Sequence, residues 1–268
     1  LWNPNRLWHF RSGTPRLKFS TSGLLHFAAF ATVGRSADPR GTAPTRSSEQ
    51  VAMNMPRRLN GWTEPMMARL KEAFAQVAAR EQTGAVILTG ADPYYCAGVN
   101  LGGTLTFGHP KKIHGMIKEH NQALFDMFLD FPKPILVAAN GPAIGASVTS
   151  ATLCDAIVAS EKATFSTPFA VLGACPEGCS SILFERLMGK VNAERMLGDE
   201  GYKPDAAQAL EAGLIDEVVP HEQLMSRAQA IAEAWVEQGR ERSFRAGSSK
   251  EGDLRRAGFP PTMADAPS

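Results

Sequence analysis

The sequence predicts an α/β fold in which short buried strands pair largely in parallel. Two runs of apolar residues, AVILT at 85–89 and PILVAA at 134–139, are each followed at once by turn residues. Helical patterns of crossover length separate such runs, and this alternation is typical of parallel sheets. A chain of 268 residues, 44% hydrophobic and 21% charged, is large enough to bury a sizeable core.

The predicted elements follow one another from residue 51 to residue 238. The predicted strands are short apolar runs at 51–53, 85–89, 134–139, 156–159 and 215–219. The predicted helices are segments with helical spacing or composition at 65–80, 113–131, 146–154, 181–188, 192–197, 205–212 and 221–238. Asp92-Pro93 and Asn140-Gly141 end the second and third strands, since such pairs favour turns.

Charge is distributed unevenly along the chain. Residues 1–48 hold seven of the 28 basic side chains but only one of the 27 acidic ones, Asp38. The remainder is therefore net acidic, which argues against nucleic acid as the main partner. The Ser-, Thr- and Arg-rich start is typical of a mitochondrial transit peptide, with mispredicted sequence as the alternative because the first residue is Leu1. We expect a targeting, disordered or mispredicted segment over 1–48, a folded domain over 49–240, and an altered or disordered tail over 241–268.

Cysteine and histidine spacing predicts no metal site. Cys175 and Cys179 are spaced C-x3-C without a second ligand pair, and the histidines do not recur at the spacing of a helix face. Four scattered cysteines in a chain of this length indicate reduced thiols and an intracellular compartment. We expect no membrane span, because the apolar run at 24–33 is far shorter than the roughly 20 residues required.

Two turns that follow predicted strands are rich in small residues. Residues 94–101 (YYCAGVNL) follow the AVILT strand, and residues 140–147 (NGPAIGAS) open a helix. Small side chains let a ligand approach the backbone, and free N–H groups at a helix start favour negative charge. Two such donors would form an oxyanion hole. Most turns of this composition are only turns, so both interpretations stay open on spacing alone.

Glu177 is the only carboxylate in the segment from Phe165 to Ser181. It stands between Pro176 and Gly178 among apolar and small residues. Loss of hydration in such surroundings raises the pKa of a carboxyl group and makes it a useful base. The alternative is a solvated loop glutamate, or one that caps the following helix. The sequence contains no P-loop, G-x-G-x-x-G or G-x-S-x-G pattern.

Taken in order, four segments resemble the crotonase (enoyl-CoA hydratase/isomerase) superfamily. They are MPRRLN at 55–60, LTGADPYYCAGVNL at 88–101, FPKPILVAANGPAIGASVT at 131–149 and LCDAIVASEKATFSTPFAVLGACPEGCSS at 153–181. The resemblance covers about residues 51–240, and TPF…LG…PEGCSS is most similar to the Δ3,Δ2-enoyl-CoA isomerases. It implies a crotonase-like spiral of repeated ββα units with a C-terminal helical region, and makes 49–240 the catalytic domain. The family normally begins with a β-hairpin, which we expect to be missing because only 51–53 has a strand pattern.

The resemblance also implies the roles of individual residues. It implies Glu177 as the catalytic acid/base and the backbone N–H groups of Ala97 and Ala146 as the oxyanion hole. Hydratases of the family carry glutamates where this chain has Thr149 and Phe169, which disfavours addition of water. The substrate-binding positions that we expect are Cys96, Gly98, Asn100, Leu101, Gly145, Thr149 and Phe169.

The activity that the resemblance implies is isomerisation of 3-enoyl-CoA to trans-2-enoyl-CoA in fatty-acid β-oxidation. The partner is an acyl-CoA thioester, and no cofactor or metal is expected because coenzyme A is part of the substrate. The alternatives are a non-catalytic crotonase-like acyl-CoA-binding or regulatory module and another crotonase enzyme such as a hydratase. The resemblance further implies a homotrimer or dimer of trimers. We expect a mitochondrial location, with the peroxisome as the alternative.

Overall fold

A mixed β-sheet forms the centre of the fold. The computed structural model describes residues 24–25, 31–35, 46–99 and 121–244. The strands within these residues are β1 (Leu24–Leu25), β2 (Ala31–Arg35), β3 (Ser47–Met53), β4 (Thr83–Gly90), β5 (Ile135–Ala139), β6 (Ala143–Ile144), β7 (Ala156–Ser160), β8 (Phe165–Ser166) and β9 (Glu217–Val219). The seven-stranded sheet has the order β1-β2-β3-β4-β5-β7-β9. Pairing is antiparallel from β1 to β3 and parallel from β3 to β9.

Helices connect the parallel strands and cover both faces of the sheet. The α-helices of the described residues are α1 (Glu64–Ala79), α2 (121–129), α3 (Ala146–Thr152), α4 (Ser180–Leu197), α5 (Ala206–Glu211) and α6 (Leu224–Glu237). Short 3₁₀ turns lie at Pro56–Arg58 and His221–Gln223. This strand-and-helix order confirms the predicted α/β class with parallel pairing.

Burial explains why the central strands carry few polar residues. All five residues of β5 are buried, and so are residues 85–89 of β4. A parallel strand that is covered on both faces needs apolar side chains on both, so its sequence does not alternate. One face packs against α1 through buried side chains such as Met66 and Leu70, and α6 covers the other face.

A second, two-stranded sheet lies beside the carboxyl ends of the central strands. Strand β6 pairs in parallel with β8, and Cys96 forms a single parallel bridge with Ala143 of β6. The segment after β4 is therefore held next to the segment after β5. Because loops at the carboxyl ends of parallel strands meet at one edge, this geometry gathers the two small-residue turns.

The predicted absence of an N-terminal hairpin is wrong. Strand β2 pairs antiparallel with β3 from Ala31 opposite Met53 to Arg35 opposite Glu49, and β1 pairs with β2. Strand β3 is also longer than predicted, since it begins at Ser47. The remaining residues of 1–45 and residues 245–268 lie outside the described part, so the targeting role of 1–48 and the nature of the tail stay predictions.

The other predicted elements differ from the structure mainly at their ends. The helices predicted at 181–188 and 192–197 form one run, α4, with non-helical backbone at Gly189. The last predicted helix begins as the 3₁₀ turn His221–Gln223 before α6. Of the helix predicted at 113–131, the structure describes α2, and residues 113–120 lie outside the described residues.

Candidate active site

The two small-residue turns lie against each other at the carboxyl edge of the sheet. The backbone N–H of Ile144 donates to the carbonyl oxygen of Cys96 at 3.0 Å. Gly98 has φ +77°, and a Cβ atom there would lie 2.4 Å from the carbonyl oxygen of Ile144. This position therefore needs glycine both for its backbone conformation and for the close approach of the second turn.

The second turn ends at the start of a buried helix. Gly145, with φ +61°, is the N-cap of α3, and Ala146 is the first helical residue. The N–H of Ala146 has no acceptor among the described residues, as expected for the first turn of a helix. The predicted donor at Ala146 is thus free to meet a negatively charged ligand atom.

The predicted donor at Ala97 is wrong, because its N–H already has a partner. It donates to the carbonyl oxygen of Leu59 at 3.0 Å. The next N–H, of Gly98, is directed to the Cys96 sulfur at 3.3 Å. The N–H of Val99 has no acceptor among the described residues, and a Cβ on the preceding Gly98 would lie 3.9 Å from the Ala146 nitrogen. Among the described residues, the N–H groups of Val99 and Ala146 are therefore two backbone donors without an acceptor at this point of the fold.

Glu177 lies in a loop between β8 and α4, and the residue that follows it packs against two helices. A Cβ on the adjacent Gly178 would lie 2.4 Å from the ring of Phe125 in α2 and 2.7 Å from the hydroxyl of Thr149 in α3. The backbone next to Glu177 is thus held between α3 and α2. The contact also explains the absence of a side chain at residue 178, where φ is +62°.

The carboxylate of Glu177 is half-buried and has one hydrogen-bond partner within the described part of the chain. The side-chain amide of Asn121, the first described residue of α2, donates to its Oε2 at 2.6 Å. Burial raises the pKa of Glu177 from 4.5 to about 7. The predicted desolvation is confirmed, and the alternative of a fully solvated loop glutamate is not supported.

Two predicted positions carry side chains that cannot act as bases. Thr149 is buried, and its hydroxyl donates to the Ala146 carbonyl oxygen at 3.2 Å. Phe169 is buried with 5% of its surface exposed. Gly178, the residue after Glu177, lies against Thr149 of α3. This position of α3 therefore presents a hydroxyl, and not a second carboxylate, to the loop that carries Glu177.

The predicted substrate-binding role of Cys96 does not extend to its thiol. Its sulfur is buried and donates to the Asn60 carbonyl oxygen at 3.1 Å. Burial raises the pKa of this thiol to about 12, so the group is neutral and fixes the turn. Asn100 and Leu101, also predicted to bind substrate, lie outside the described residues. Within those residues, no group of three His, Cys, Asp or Glu side chains could hold a metal ion, and no helix has the length and apolar character to cross a membrane.

Three contributors were missed by the sequence reasoning. Asn121 is 56 residues from Glu177, and only a prediction of how α2 packs could have paired them. Val99 was passed over because sequence does not show that Leu59 occupies the neighbouring N–H. Ser147 stands outside any G-x-S-x-G pattern, and sequence does not show that its hydroxyl lies between the two turns.

The fold and this site agree with comparison to known proteins. Residues 46–256 match the enoyl-CoA hydratase/isomerase family model, so the chain belongs to this family and has the crotonase fold. A solved structure of a probable enoyl-CoA hydratase/isomerase from Mycobacterium abscessus is 27% identical with a TM-score of 0.64, covering 76% of this chain and 75% of that one.

Among curated relatives, the human enoyl-CoA delta isomerase 2 is 35% identical over 190 residues, covering 68% of this chain and 48% of that protein. The human chromodomain Y-like protein is 32% identical over 179 residues, covering 65% of this chain and 28% of that protein. The chain thus spans about half or less of the length of these two relatives. Sequence identity at this level supports the family, and the reaction has to be argued from the site.

Proposed function

We propose that this protein isomerises 3-enoyl-CoA to trans-2-enoyl-CoA with Glu177 as its acid/base. The observation that carries the proposal is the half-buried carboxylate of Glu177, of pKa about 7, whose neighbour Gly178 packs against Thr149 in the first turn of α3, the helix that begins at the Ala146 donor. A group that titrates near neutral pH can both remove and return a proton. The likeness to an enoyl-CoA delta isomerase supports the same reaction.

The reaction needs one proton moved between two carbons. The Glu177 carboxylate removes a proton from C2 of the 3-enoyl thioester, and the electron pair of the C2–H bond delocalises into the carbonyl and the C3–C4 double bond. The resulting dienolate takes the same proton back at C4, which leaves the double bond between C2 and C3. Atoms and charge balance without a redox step or a water molecule.

The backbone N–H groups of Val99 and Ala146 would stabilise the dienolate. Its negative charge rests on the thioester oxygen, and fixed donors at that position lower the barrier because they need no reorganisation. Loss of one such donor typically costs about 10²–10³ in rate. Asn121 would hold Oε2 of Glu177, so that Oε1, which has no partner among the described residues, carries the proton.

Two exposed cations could meet the phosphates of coenzyme A. Arg57 and Arg58 lie on the 3₁₀ turn before Leu59. The carbonyl oxygen of Leu59 accepts the N–H of Ala97 in the first small-residue turn. Both side chains are exposed, so they are accessible to a ligand that extends away from that turn. Guanidinium groups pair well with phosphate.

The alternatives receive less support from the site. The resemblance implies that hydratases of this family use two glutamates. This chain has Thr149 and Phe169 at those two positions. The similarity to the chromodomain Y-like protein keeps a non-catalytic module as an alternative. Such a module would not require a desolvated carboxylate.

Separate incubation with 3-enoyl-CoA and trans-2-enoyl-CoA tests the proposal. We expect purified protein to convert 3-enoyl-CoA to trans-2-enoyl-CoA and to form no 3-hydroxyacyl-CoA. Formation of 3-hydroxyacyl-CoA from the 2-enoyl substrate would identify a hydratase. Binding of both thioesters without conversion would identify a non-catalytic module.

Assembly and location are part of the same proposal. We propose a homotrimer or dimer of trimers, to which the exposed Val171 and Leu172 of the loop before Glu177 would contribute. Light scattering should give about three or six times the chain mass of 28.8 kDa, and a folded active monomer would contradict this. We propose a mitochondrial location, with the peroxisome as the alternative, which the distribution of a fluorescent fusion would decide.

A further inference from the structure

Ser147 is a fully buried residue whose hydroxyl contacts both small-residue turns, the one after β4 and the one after β5. Its hydroxyl lies 2.9 Å from the carbonyl oxygen of Cys96 in the first turn and 2.9 Å from that of Ile144 in the second. Its oxygen also accepts the backbone N–H of Ile144 at 2.9 Å. The single hydroxyl hydrogen is shared between the two carbonyl acceptors, so one side chain joins backbone groups of both turns.

These contacts lie two or three residues along the chain from the two donors. Cys96 precedes Val99 by three residues, and Ile144 precedes Ala146 by two. The turns also touch at Gly98, where a Cβ would lie 2.4 Å from the Ile144 oxygen. Such packing limits how near the turns come. Backbone hydrogen bonds from Ile144 to Cys96 and from Cys96 to Pro142 join the turns, and the hydroxyl of Ser147 adds the side-chain contact that holds them together.

We propose that Ser147 is a positioning residue that sets the separation of the Val99 and Ala146 donors in the oxyanion hole. This inference rests on the proposed function, since it assigns a purpose to the same pair of donors. Small displacements of groups that bind a transition state cost large factors in rate. Ser147 itself touches backbone and has no contact with the reacting atoms in this assignment.

The test compares Ser147→Ala with the matched control Ser150→Ala. Ser150 is buried in the same helix, and its hydroxyl donates only to the carbonyl oxygen of Ser147 within that helix. We expect Ser147→Ala to lower kcat for 3-enoyl-CoA about 10- to 100-fold with KM within about threefold. Ser150→Ala should retain kcat within about threefold. Melting temperatures of both variants show that they fold.

A spectroscopic measurement reports the donors directly. Infrared difference spectra of bound trans-2-enoyl-CoA, labelled with ¹³C at the thioester carbonyl, should show a lowered carbonyl stretch in the wild type. That lowering should shrink in Ser147→Ala and stay unchanged in Ser150→Ala. Because it needs binding alone, this readout tests Ser147 even if the wild type fails to isomerise 3-enoyl-CoA, which would overturn the proposed function instead.

Ser147→Cys separates hydrogen bonding from packing and serves if the alanine variant does not fold. Cysteine fills the space that alanine leaves empty, although its sulfur is larger than the serine oxygen, and it is a weak donor and acceptor. We expect it to lose carbonyl polarisation and kcat, as the alanine variant does. Wild-type kcat and carbonyl stretch in a folded Ser147→Ala or Ser147→Cys variant would overturn the proposal. So would an equal loss in Ser150→Ala.

Discussion

We expect the pH dependence of the proposed reaction to follow the burial of Glu177 and to respond to its hydrogen bond with Asn121. Burial raises the pKa of the carboxyl to about 7, so the ionised base rises from about one tenth at pH 6 to about nine tenths at pH 8. We therefore expect kcat/KM of the wild type to increase roughly tenfold over this interval. The sign follows from the role of the ionised form as the base.

Asn121→Leu removes the donor while keeping the side-chain volume. The amide donates to Oε2 at 2.6 Å, and such a bond favours the charged form over the neutral one. If the difference is about 1 kcal/mol, the midpoint of kcat/KM moves about half to one pH unit towards alkaline pH. The activity lost at pH 6.5 should then be largely recovered at pH 8.5.

The assay is initial-rate isomerisation of 3-enoyl-CoA between pH 5.5 and 9, with Asn192→Ala as the control. Asn192 donates to the Met188 carbonyl oxygen within α4, away from Glu177, and its replacement should leave the midpoint unchanged. An unchanged midpoint in Asn121→Leu, or one displaced towards acid pH, would refute the assigned effect of this hydrogen bond.

Three other predictions concern the frame of the site. Gly98→Ala should destabilise the fold by about 1–3 kcal/mol in urea unfolding and lower kcat, because of its positive φ and its contact with the second turn; unchanged stability and kcat would contradict this. Arg242→Met should lower the free energy of unfolding by about 3–5 kcal/mol, because it leaves the buried carboxylate of Asp155 without its cation. Arg195→Met, which breaks an exposed ion pair, should lower it by less than about 1 kcal/mol. Equal effects would be inconsistent with that difference in burial. Deletion of residues 1–23 should leave the melting temperature unchanged, because strands β1 and β2 remain, and a large decrease would show that the deleted segment supports the fold.

The main elements of the fold could be predicted because their local sequence patterns indicate which residues are buried. Strand β5 is apolar on both faces, and α1 carries its buried residues at helical spacing. Strand β2 (ATVGR) could not be predicted in this way. It has no alternating pattern, and its pairing with β3 supplies the strand geometry.

The site was predictable in its composition and less so in its geometry. The surroundings of Glu177 in sequence suggested a raised pKa but left a solvated or capping glutamate as the alternative, and burial in the structure favours the raised pKa. Which N–H groups are free depends on contacts between distant segments. Leu59 lies 38 residues before Ala97 and occupies its N–H, so we propose Val99 as the first donor instead. The resemblance located the turn correctly, but it did not show which N–H group of that turn lacks an acceptor.

The most direct test of the central claim is the turnover of 3-enoyl-CoA by Glu177→Gln. The glutamine keeps the shape of the side chain and the contact with Asn121 but cannot accept the C2 proton. We expect kcat to fall at least about 10²-fold while the dissociation constant of the bound thioester changes little. A folded Glu177→Gln variant that turns over 3-enoyl-CoA at nearly the wild-type rate would contradict the assignment of Glu177 as the acid/base.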